Sequence, residues 1–206
     1  MADQVTLRVW SDYLCPWCYN AAVRLRRIEK EFQGRVALEW RSFLLRPYPD
    51  PKRTLEQFRT YTQSWTKPAA DDDGGTFRVW ATDEGPPSHS VPPHVVAKAA
   101  ARLGRDAFDA MHERLLRAYF AENRDITKAE TLLALWRDVG LPDAEFAHAG
   151  DDAILRAVID EHNDAGRREV SGVPTVLMDG IDVPVVGAMP YETYRRWVAR
   201  RLAGEI

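Results

Sequence analysis

The sequence predicts an α/β fold in which a helical block separates two segments that mix strands with a helix. In the first segment, residues 5–10 alternate apolar and polar side chains, residues 18–32 repeat apolar ones at helical spacing, and residues 36–43 alternate again. In the last segment, residues 173–188 show two short strand patterns before a helix. Residues 93–168 are mainly helical in pattern. The predicted order is therefore βαβ, a helical block, then ββα.

The first helix is predicted to start within SDYLCPWCYNA, residues 11–21, which holds both cysteines of the chain. Gly34 is expected to end this helix as a left-handed cap residue. The strands on either side form a right-handed βαβ unit if they run parallel. The apolar face of the helix is predicted to carry Cys18, Ala22, Leu25, Ile28 and Phe32.

The central part is predicted to begin with loops and to continue as several helices. The strings RPYPDP and DDDGG within residues 46–85 indicate loops, with one short helix over residues 54–65. Farther on, Asp106 is expected to cap one helix. Thr127 and Glu130 are expected to form the capping box of the next.

The last segment predicts a β-hairpin followed by a helix. VPTVLMDG, residues 173–180, has the pattern of a strand that ends in an Asp-Gly turn. IDVPVVGA, residues 181–188, is its predicted antiparallel partner, and Pro184 indicates an edge strand. Pro190 opens the final helix. Its predicted core face carries Tyr191, Tyr194, Trp197 or Val198, and Leu202.

Composition and charge argue against several classes of partner. The 28 basic and 31 acidic side chains give a net charge of -3, which offers no electrostatic reason to expect nucleic acid or an anionic membrane. The first residues lack the pattern of a signal peptide, so a cytoplasmic location is expected. In that reducing compartment, two paired cysteines serve catalysis, redox sensing or metal binding more often than a permanent disulfide.

The spacing of the two cysteines predicts a redox couple at the start of the first helix. Pro16 suits the first helical position and disfavours helical dihedrals at Cys15, which a cap residue requires. The free N–H groups and the positive end of the helix would then stabilise a Cys15 thiolate. Cys18 lies one turn later on the apolar face, so it is predicted to be the more buried, resolving thiol. Trp17 either covers the thiols or contacts substrate.

The element order resembles the thioredoxin fold split by an α-helical insertion, as in the DsbA-like family. SDYLCPWCY resembles the active site of the FrnE-like branch of that family, with its C-P-W-C motif. LLRAYFAENRDITKAETLLALWRDVGL resembles the helical insertion of that branch, and VSGVPTVLMDG with VVGAMPYETY resembles its carboxyl-terminal half. The resemblance implies a discontinuous thioredoxin-like domain of residues 1–45 and 170–206. Residues 46–169 would form the insertion domain.

The resemblance also implies a substrate-binding loop and an activity. Pro174 would be a cis-proline beside the cysteines, and the Val173 backbone would pair with an extended substrate chain. Without the resemblance, the rarity of cis X–Pro bonds favours an ordinary trans-proline that opens a strand. The implied activity is thiol–disulfide exchange on a protein or small-molecule substrate that contains a thiol or disulfide. Its predicted residues are Cys15 and Cys18 for catalysis, and Pro16, Trp17, Val173 and Pro174 for substrate binding.

Zinc is the first alternative, because C-x-x-C is also half of a zinc site. The five histidines lack the spacing of a zinc finger with these cysteines, so no metal is predicted: His89, His94, His112, His148 and His162. His89 and His94 lie in PPSHSVPPHVV, a proline-rich stretch expected to be a loop that could fold over the active site. Asp12 is interpreted as a local hydrogen-bond acceptor rather than a proton relay.

Two further alternatives stay open from the sequence. Glutathione-dependent enzymes of the 2-hydroxychromene-2-carboxylate isomerase and kappa-class transferase type share the split fold, but they typically carry serine where this chain has Cys15. Glutathione could still be a co-substrate, although the cysteine pair itself needs no cofactor. A redox-sensing or chaperone-like binding module is the alternative outside enzymes. The sequence leaves the choice between monomer and homodimer open.

Overall fold

The computed structural model describes residues 4–206, and its centre is a four-stranded sheet in the order β2-β1-β3-β4. The strands β1 and β2 run parallel, β3 is antiparallel to β1, and β4 is antiparallel to β3. Their bounds are β1 Val5–Ser11, β2 Val36–Ser42, β3 Thr175–Met178 and β4 Val185–Val186. The predicted βαβ and ββα segments therefore share one sheet, with the short β4 at its edge.

The register of the sheet decides which loops meet. Thr175 at the start of β3 pairs with Trp10 near the end of β1. The residues that precede β3 therefore lie against the residues that follow β1, although they are far apart in the chain. In the middle of β1, Val9 pairs with Trp40 on one side and Val176 on the other, which places apolar side chains across the centre of the sheet.

Eight α-helices and three short 3₁₀ segments complete residues 4–206. The helices are α1 Pro16–Glu31, α2 Leu55–Thr62, α3 Val91–Ala101, α4 Arg105–Phe120, α5 Ala129–Asp138, α6 Asp143–Phe146, α7 Asp152–Arg167 and α8 Tyr191–Leu202. Over the same residues, no helix combines the length and apolar character needed to cross a membrane.

The helix α1 lies where the apolar spacing predicts it. Cys18, Leu25 and Ile28 are fully buried, and Ala22 is 2% exposed, because they occupy one face of the helix. Gly34 follows with φ +76°, the left-handed conformation expected after a helix end. This face packs against the sheet, so the amino-terminal end of α1 is held at the edge where β1 ends.

The central helices bury a cluster of aromatic rings that is continuous with the core beneath the sheet. Phe58 on α2 contacts Trp80 with ring centroids 4.9 Å apart, and Trp65 contacts Phe120 at the same distance. Tyr119 lies between them, 5.2 Å from Trp65. These rings stabilise the fold by burying large apolar areas in edge-to-face pairs.

Two predicted caps are wrong. The helix α4 begins at Arg105 after Gly104, so Asp106 lies inside its first turn and makes no cap hydrogen bond. The helix α5 begins at Ala129 after Lys128, which places Glu130 one position too early for a capping box. The Thr127 hydroxyl instead donates to Asp125 at 2.7 Å. A capping box needs Thr127 Oγ1 as the acceptor of a helix N–H, whereas this oxygen accepts the N–H of Ser88, outside the helix, at 3.2 Å.

Candidate active site

The first turn of α1 presents Cys15 as its N-terminal cap. Cys15 has extended dihedrals, φ -96° and ψ 114°, and its Sγ accepts a hydrogen bond from the N–H of Cys18 at 3.3 Å. Pro16 occupies the first helical position, where no N–H is needed. The predicted cap is therefore confirmed, and Cys15 Sγ lies at the positive end of the helix dipole.

Cys18 is the more buried of the two thiols, as the helical spacing predicts. It is 0% exposed, against 5% for Cys15, and both are free thiols. Burial raises the pKa of Cys18 well above its usual value, and the hydrogen bond and charge of Cys15 add to this. The Asp12 backbone and the Ser11 side chain, both hydrogen-bonded to Cys18, act in the opposite direction. Cys18 thus keeps its proton until a reaction at Cys15 changes its surroundings.

The loop before β3 closes the other side of Cys15. The peptide bond between Val173 and Pro174 is cis, as the sequence comparison with the family implied. The Cys15 thiol donates to the Val173 carbonyl at 3.5 Å. The Pro174 carbonyl accepts the N–H of Gly187 at 2.8 Å, so the loop is tied to the end of β4. The structure therefore brings two segments 158 residues apart into direct contact at the thiol.

All six predicted site residues meet at this edge of the sheet. Trp17, in the first turn of α1, is 39% exposed, so its ring forms surface beside the buried cysteines. Pro16 and Val173 are partly buried and Pro174 is buried. The site thus combines two inner thiols with a partly apolar outer surface.

Asp12 joins the cysteine loop to the loop after β2. Its carboxylate accepts hydrogen bonds from the N–H of Leu14 at 2.6 Å and of Leu45 at 2.7 Å, which confirms its interpretation as a local acceptor. Burial raises the pKa of Asp12 to about 6, although these hydrogen bonds, one from Ser90 and the charge of Arg46 oppose the rise. Asp12 is thus a buried carboxylate that holds two loops together.

Two histidines lie beneath the cysteine loop as a buried cluster. The rings of His94 and His112 contact the Tyr13 ring, with centroids 4.8 and 5.3 Å apart. Burial lowers the pKa of His94 to about 3, and it lowers that of His112 well below the usual value. Both side chains are therefore neutral packing groups at physiological pH.

The expectation of one loop carrying both His89 and His94 is wrong, because α3 begins at Val91 between them. Prolines are tolerated in the first turn of a helix, so this proline-rich stretch starts α3 instead of ending it. Within residues 4–206, no group of three or more His, Cys, Asp or Glu side chains is arranged to hold a metal ion.

Ser11 is the site residue that the sequence did not single out. It ends β1, and its side chain acts to lower the pKa of Cys18 from a neighbouring element, not from the same helix. Its position directly before the cysteine segment was the only available signal. The effect depends on how α1 packs against β1, which spacing alone does not give.

A family comparison decides the identity of this fold. The model of the DSBA-like thioredoxin domain matches residues 6–199, which is nearly the whole chain. The chain belongs to the DSBA-like thioredoxin domain family. The DsbA-like fold explains the observed sheet order and the helical segment inserted between β2 and β3.

Relatives of this DsbA-like chain include one protein compared by sequence and two solved structures. The uncharacterized protein YwbO of Bacillus subtilis is 26% identical over 194 residues, which cover 87% of this chain and 90% of YwbO. A probable DsbA oxidoreductase from Streptomyces coelicolor has a TM-score of 0.79 and 25% identity, covering 98% and 92% of the two chains. The cytosolic disulfide reductase DsbM from Pseudomonas aeruginosa has a TM-score of 0.75 and 22% identity, covering 96% and 98%.

Proposed function

We propose that this DsbA-like chain is a thiol–disulfide oxidoreductase that uses Cys15 and Cys18 as a dithiol–disulfide couple. The observation that carries the proposal is the position of Cys15 Sγ, at the N-terminus of α1 and 3.3 Å from the backbone nitrogen of Cys18. Both the N–H donor and the helix dipole stabilise negative charge on that sulfur. Cys15 is therefore the attacking thiolate of this proposal.

In the proposed reaction, the Cys15 thiolate attacks one sulfur of a substrate disulfide, and the substrate S–S bond breaks as a mixed disulfide forms. The departing thiolate takes a proton from solvent. Cys18 then loses its proton and attacks Cys15 Sγ, which releases the second substrate thiol and leaves a Cys15–Cys18 disulfide. Two electrons pass from the dithiol to the substrate, and the reverse sequence oxidises a substrate dithiol.

The burial of the two thiols supports this division of roles. Cys18 is fully enclosed, and burial first of all keeps its pKa high, so it is a poor nucleophile until the mixed disulfide replaces the neighbouring thiolate. Cys15 retains a small exposed area and has the helix end beside it. An incoming disulfide therefore meets Cys15 first, and Cys18 attacks from within.

The surface around Cys15 suits a substrate chain. We assign substrate contact to Pro16 and Trp17 on one side of the thiol and to Val173 and Pro174 on the other. The exposed Trp17 ring supplies apolar contact area, and the Val173 backbone can pair with an extended chain. The proposal extends to glutathione as a co-substrate. The FrnE-like branch, the cytoplasmic location, the domain division and the lack of a metal cofactor stay predictions.

The test compares serine variants in an insulin-reduction assay with dithiothreitol as reductant. Cys15→Ser is expected to reduce the rate to the uncatalysed level, because a hydroxyl does not replace the thiolate nucleophile. Cys18→Ser is expected to accumulate a mixed disulfide with substrate, detected as added mass on the intact protein. Urea unfolding of each variant controls for loss of the fold.

Two results would contradict the proposal. Insulin reduction that persists in folded Cys15→Ser would exclude Cys15 as the nucleophile. A mixed disulfide that accumulates in Cys15→Ser and not in Cys18→Ser would reverse the assigned roles.

A further inference from the structure

A pair of cavities opens beside the cysteine loop. The first has a volume of about 380 Å³, and the second of about 390 Å³. The two share Arg46, Arg53 and Tyr61 in their walls. The first is also lined by Leu14, which directly precedes Cys15. Each volume falls within the roughly 300–1,000 Å³ range of small-molecule sites.

The walls of these cavities carry more positive than negative charge. Within residues 4–206, neither Arg46 nor Arg53 forms an ion pair, and Lys52 beside them forms none either. The only carboxylate in either lining is that of Asp50, in the second cavity. Three cations thus face one anion, which is the arrangement that attracts an anionic ligand.

The Arg53 guanidinium and the Arg46 backbone are held by the surrounding structure. The Arg53 side chain donates to the Pro87 carbonyl at 3.2 Å and lies 4.3 Å from the centre of the Phe58 ring. The Arg46 backbone exchanges two hydrogen bonds with Ser90, at 2.7 and 3.1 Å. Burial lowers the pKa of Arg53, and the nearby charge of Arg46 acts in the same direction. A bound anion would relieve that repulsion.

The first cavity adjoins the loop that carries the proposed nucleophile. Leu14 in its wall is adjacent to Cys15 in the chain, and Asp12 fixes both Leu14 and Leu45 of the lining through their N–H groups. Burial raises the pKa of Tyr61 in the same wall, and the charge of Cys15 adds to this effect. A ligand seated between Arg46 and Arg53 therefore lies against the loop that carries Cys15.

We propose that Arg46 and Arg53 bind the carboxylates of a small anionic disulfide and hold its sulfur next to Cys15. Guanidinium groups match carboxylates in geometry and form strong charge-assisted hydrogen bonds with them. The inference rests on the proposed function of Cys15 and names the substrate class for that site. A cavity of about 380 Å³ suits a peptide of a few residues better than a folded protein. Exchange then follows the balanced steps given above, with two electrons passing from the dithiol to the anionic disulfide.

The first experiment measures single-turnover oxidation of the pre-reduced protein by two small disulfides. Glutathione disulfide carries carboxylates, whereas bis(2-hydroxyethyl) disulfide is neutral. The ratio of their second-order rate constants is expected to fall about tenfold in Arg46→Gln and in Arg53→Gln, the value of one lost charge-assisted contact. Arg196→Gln on α8 is the matched control, since Arg196 is exposed and lies outside both cavities.

The second experiment separates binding from exchange. S-methylglutathione has the carboxylates of glutathione and no thiol, so calorimetric titration reports the arginine site alone. Binding is expected in the wild type and in Cys15→Ser, and it is expected to weaken about tenfold in each arginine variant. Binding without Cys15-dependent exchange would reject the proposed function and leave the anion site in place.

Three outcomes overturn the inference. An unchanged rate ratio in both arginine variants shows that their charges do not select the substrate. If S-methylglutathione binds the arginine variants as tightly as it binds the wild type, its carboxylates bind elsewhere on the protein. If the arginine variants slow the reaction with an acidic protein disulfide as much as the reaction with glutathione disulfide, the cavity binds acidic protein segments instead.

Discussion

Two arginine sites on this molecule differ in how many of their N–H donors form hydrogen bonds within the protein. Arg24 on α1 is 3% exposed, and its guanidinium donates to the carboxylates of Asp71 and Asp73. It also donates to the carbonyls of Ala188 and Met189 at 3.2 and 3.1 Å. Arg24 thus joins the acidic loop after α2 and the loop before α8 to the first helix.

The Arg46 and Arg53 pair has the same residue type and the opposite arrangement. Among residues 4–206, the Arg53 side chain has one hydrogen-bond acceptor, the Pro87 carbonyl, and the Arg46 side chain has none. A guanidinium has five N–H donors. Saturation of those donors identifies Arg24 as structural, whereas the free donors of Arg46 and Arg53 beside a cavity are what the proposed anion site requires.

The largest change in stability should come from replacing Arg24, whose donors are all hydrogen-bonded. Arg24→Met leaves Asp71 and Asp73 without their cation, and we expect the free energy of unfolding to fall by about 3 kcal/mol. Both carboxylates are about one-third exposed, which keeps the loss at the lower end for a broken pair of this kind.

Urea unfolding measures this change, with Arg195→Gln as the control. Arg195 pairs with Glu31 at the surface, so its loss should cost less than about 1 kcal/mol. Equal losses in the two variants would show that saturation of hydrogen-bond donors does not separate structural from exposed arginines.

A pH-dependent effect of similar size should come from Asp12. Burial raises its pKa to about 6 in the folded state, so between about pH 4 and pH 6 the folded protein holds this proton more tightly than the unfolded chain. The contribution of Asp12 to stability is therefore present below pH 4 and is lost as the pH rises to 6. Relative to Asp12→Asn, the wild type should lose about 3 kcal/mol over that range.

Unfolding free energies of the wild type and Asp12→Asn at pH 4, 5, 6 and 7 measure this difference. Comparing the two proteins at each pH cancels the titration of the other groups, including the buried His94 and His112. A constant difference from pH 4 to pH 7 would contradict the raised pKa.

The smallest expected effect is a change in the pKa of Asp12 when Arg46 is replaced. The charge of Arg46 lowers the pKa of Asp12, so Arg46→Gln should raise that pKa by a fraction of a unit. The carbon-13 shift of the Asp12 carboxyl, followed by NMR from pH 4 to pH 8, reports it. Arg196→Gln should leave the titration unchanged. A fall in the pKa of Asp12 in Arg46→Gln would mean that Arg46 does not act on Asp12 through its charge.

The central helices mark where prediction from the sequence weakened. Thr127 has the residue type of a cap, but its Oγ1 accepts the N–H of Ser88 instead of a helix N–H. The same stretch of prolines that suggested a loop begins α3 at Val91. In both cases the local pattern allowed two structures, and contacts from outside the pattern selected between them. DDDGG was correctly placed in a loop, but its role as the partner of Arg24 was not visible.

The sequence by itself determined the cysteine end of α1. The cap at Cys15, the first turn at Pro16 and the buried position of Cys18 follow from residues within four positions of one another, whose interactions depend on helix geometry alone. Resemblance to the DsbA-like family then supplied Val173 and Pro174.

Only the tertiary structure decided what surrounds that end. The sheet register sets Val173 against Cys15, and the carboxylate of Asp12 sets Leu45 beside Leu14. The same packing leaves Arg46 and Arg53 together and unpaired, while it gives Arg24 two carboxylates. Charge pairing over such separations depends on which loops meet in three dimensions, and no spacing in the chain encodes it.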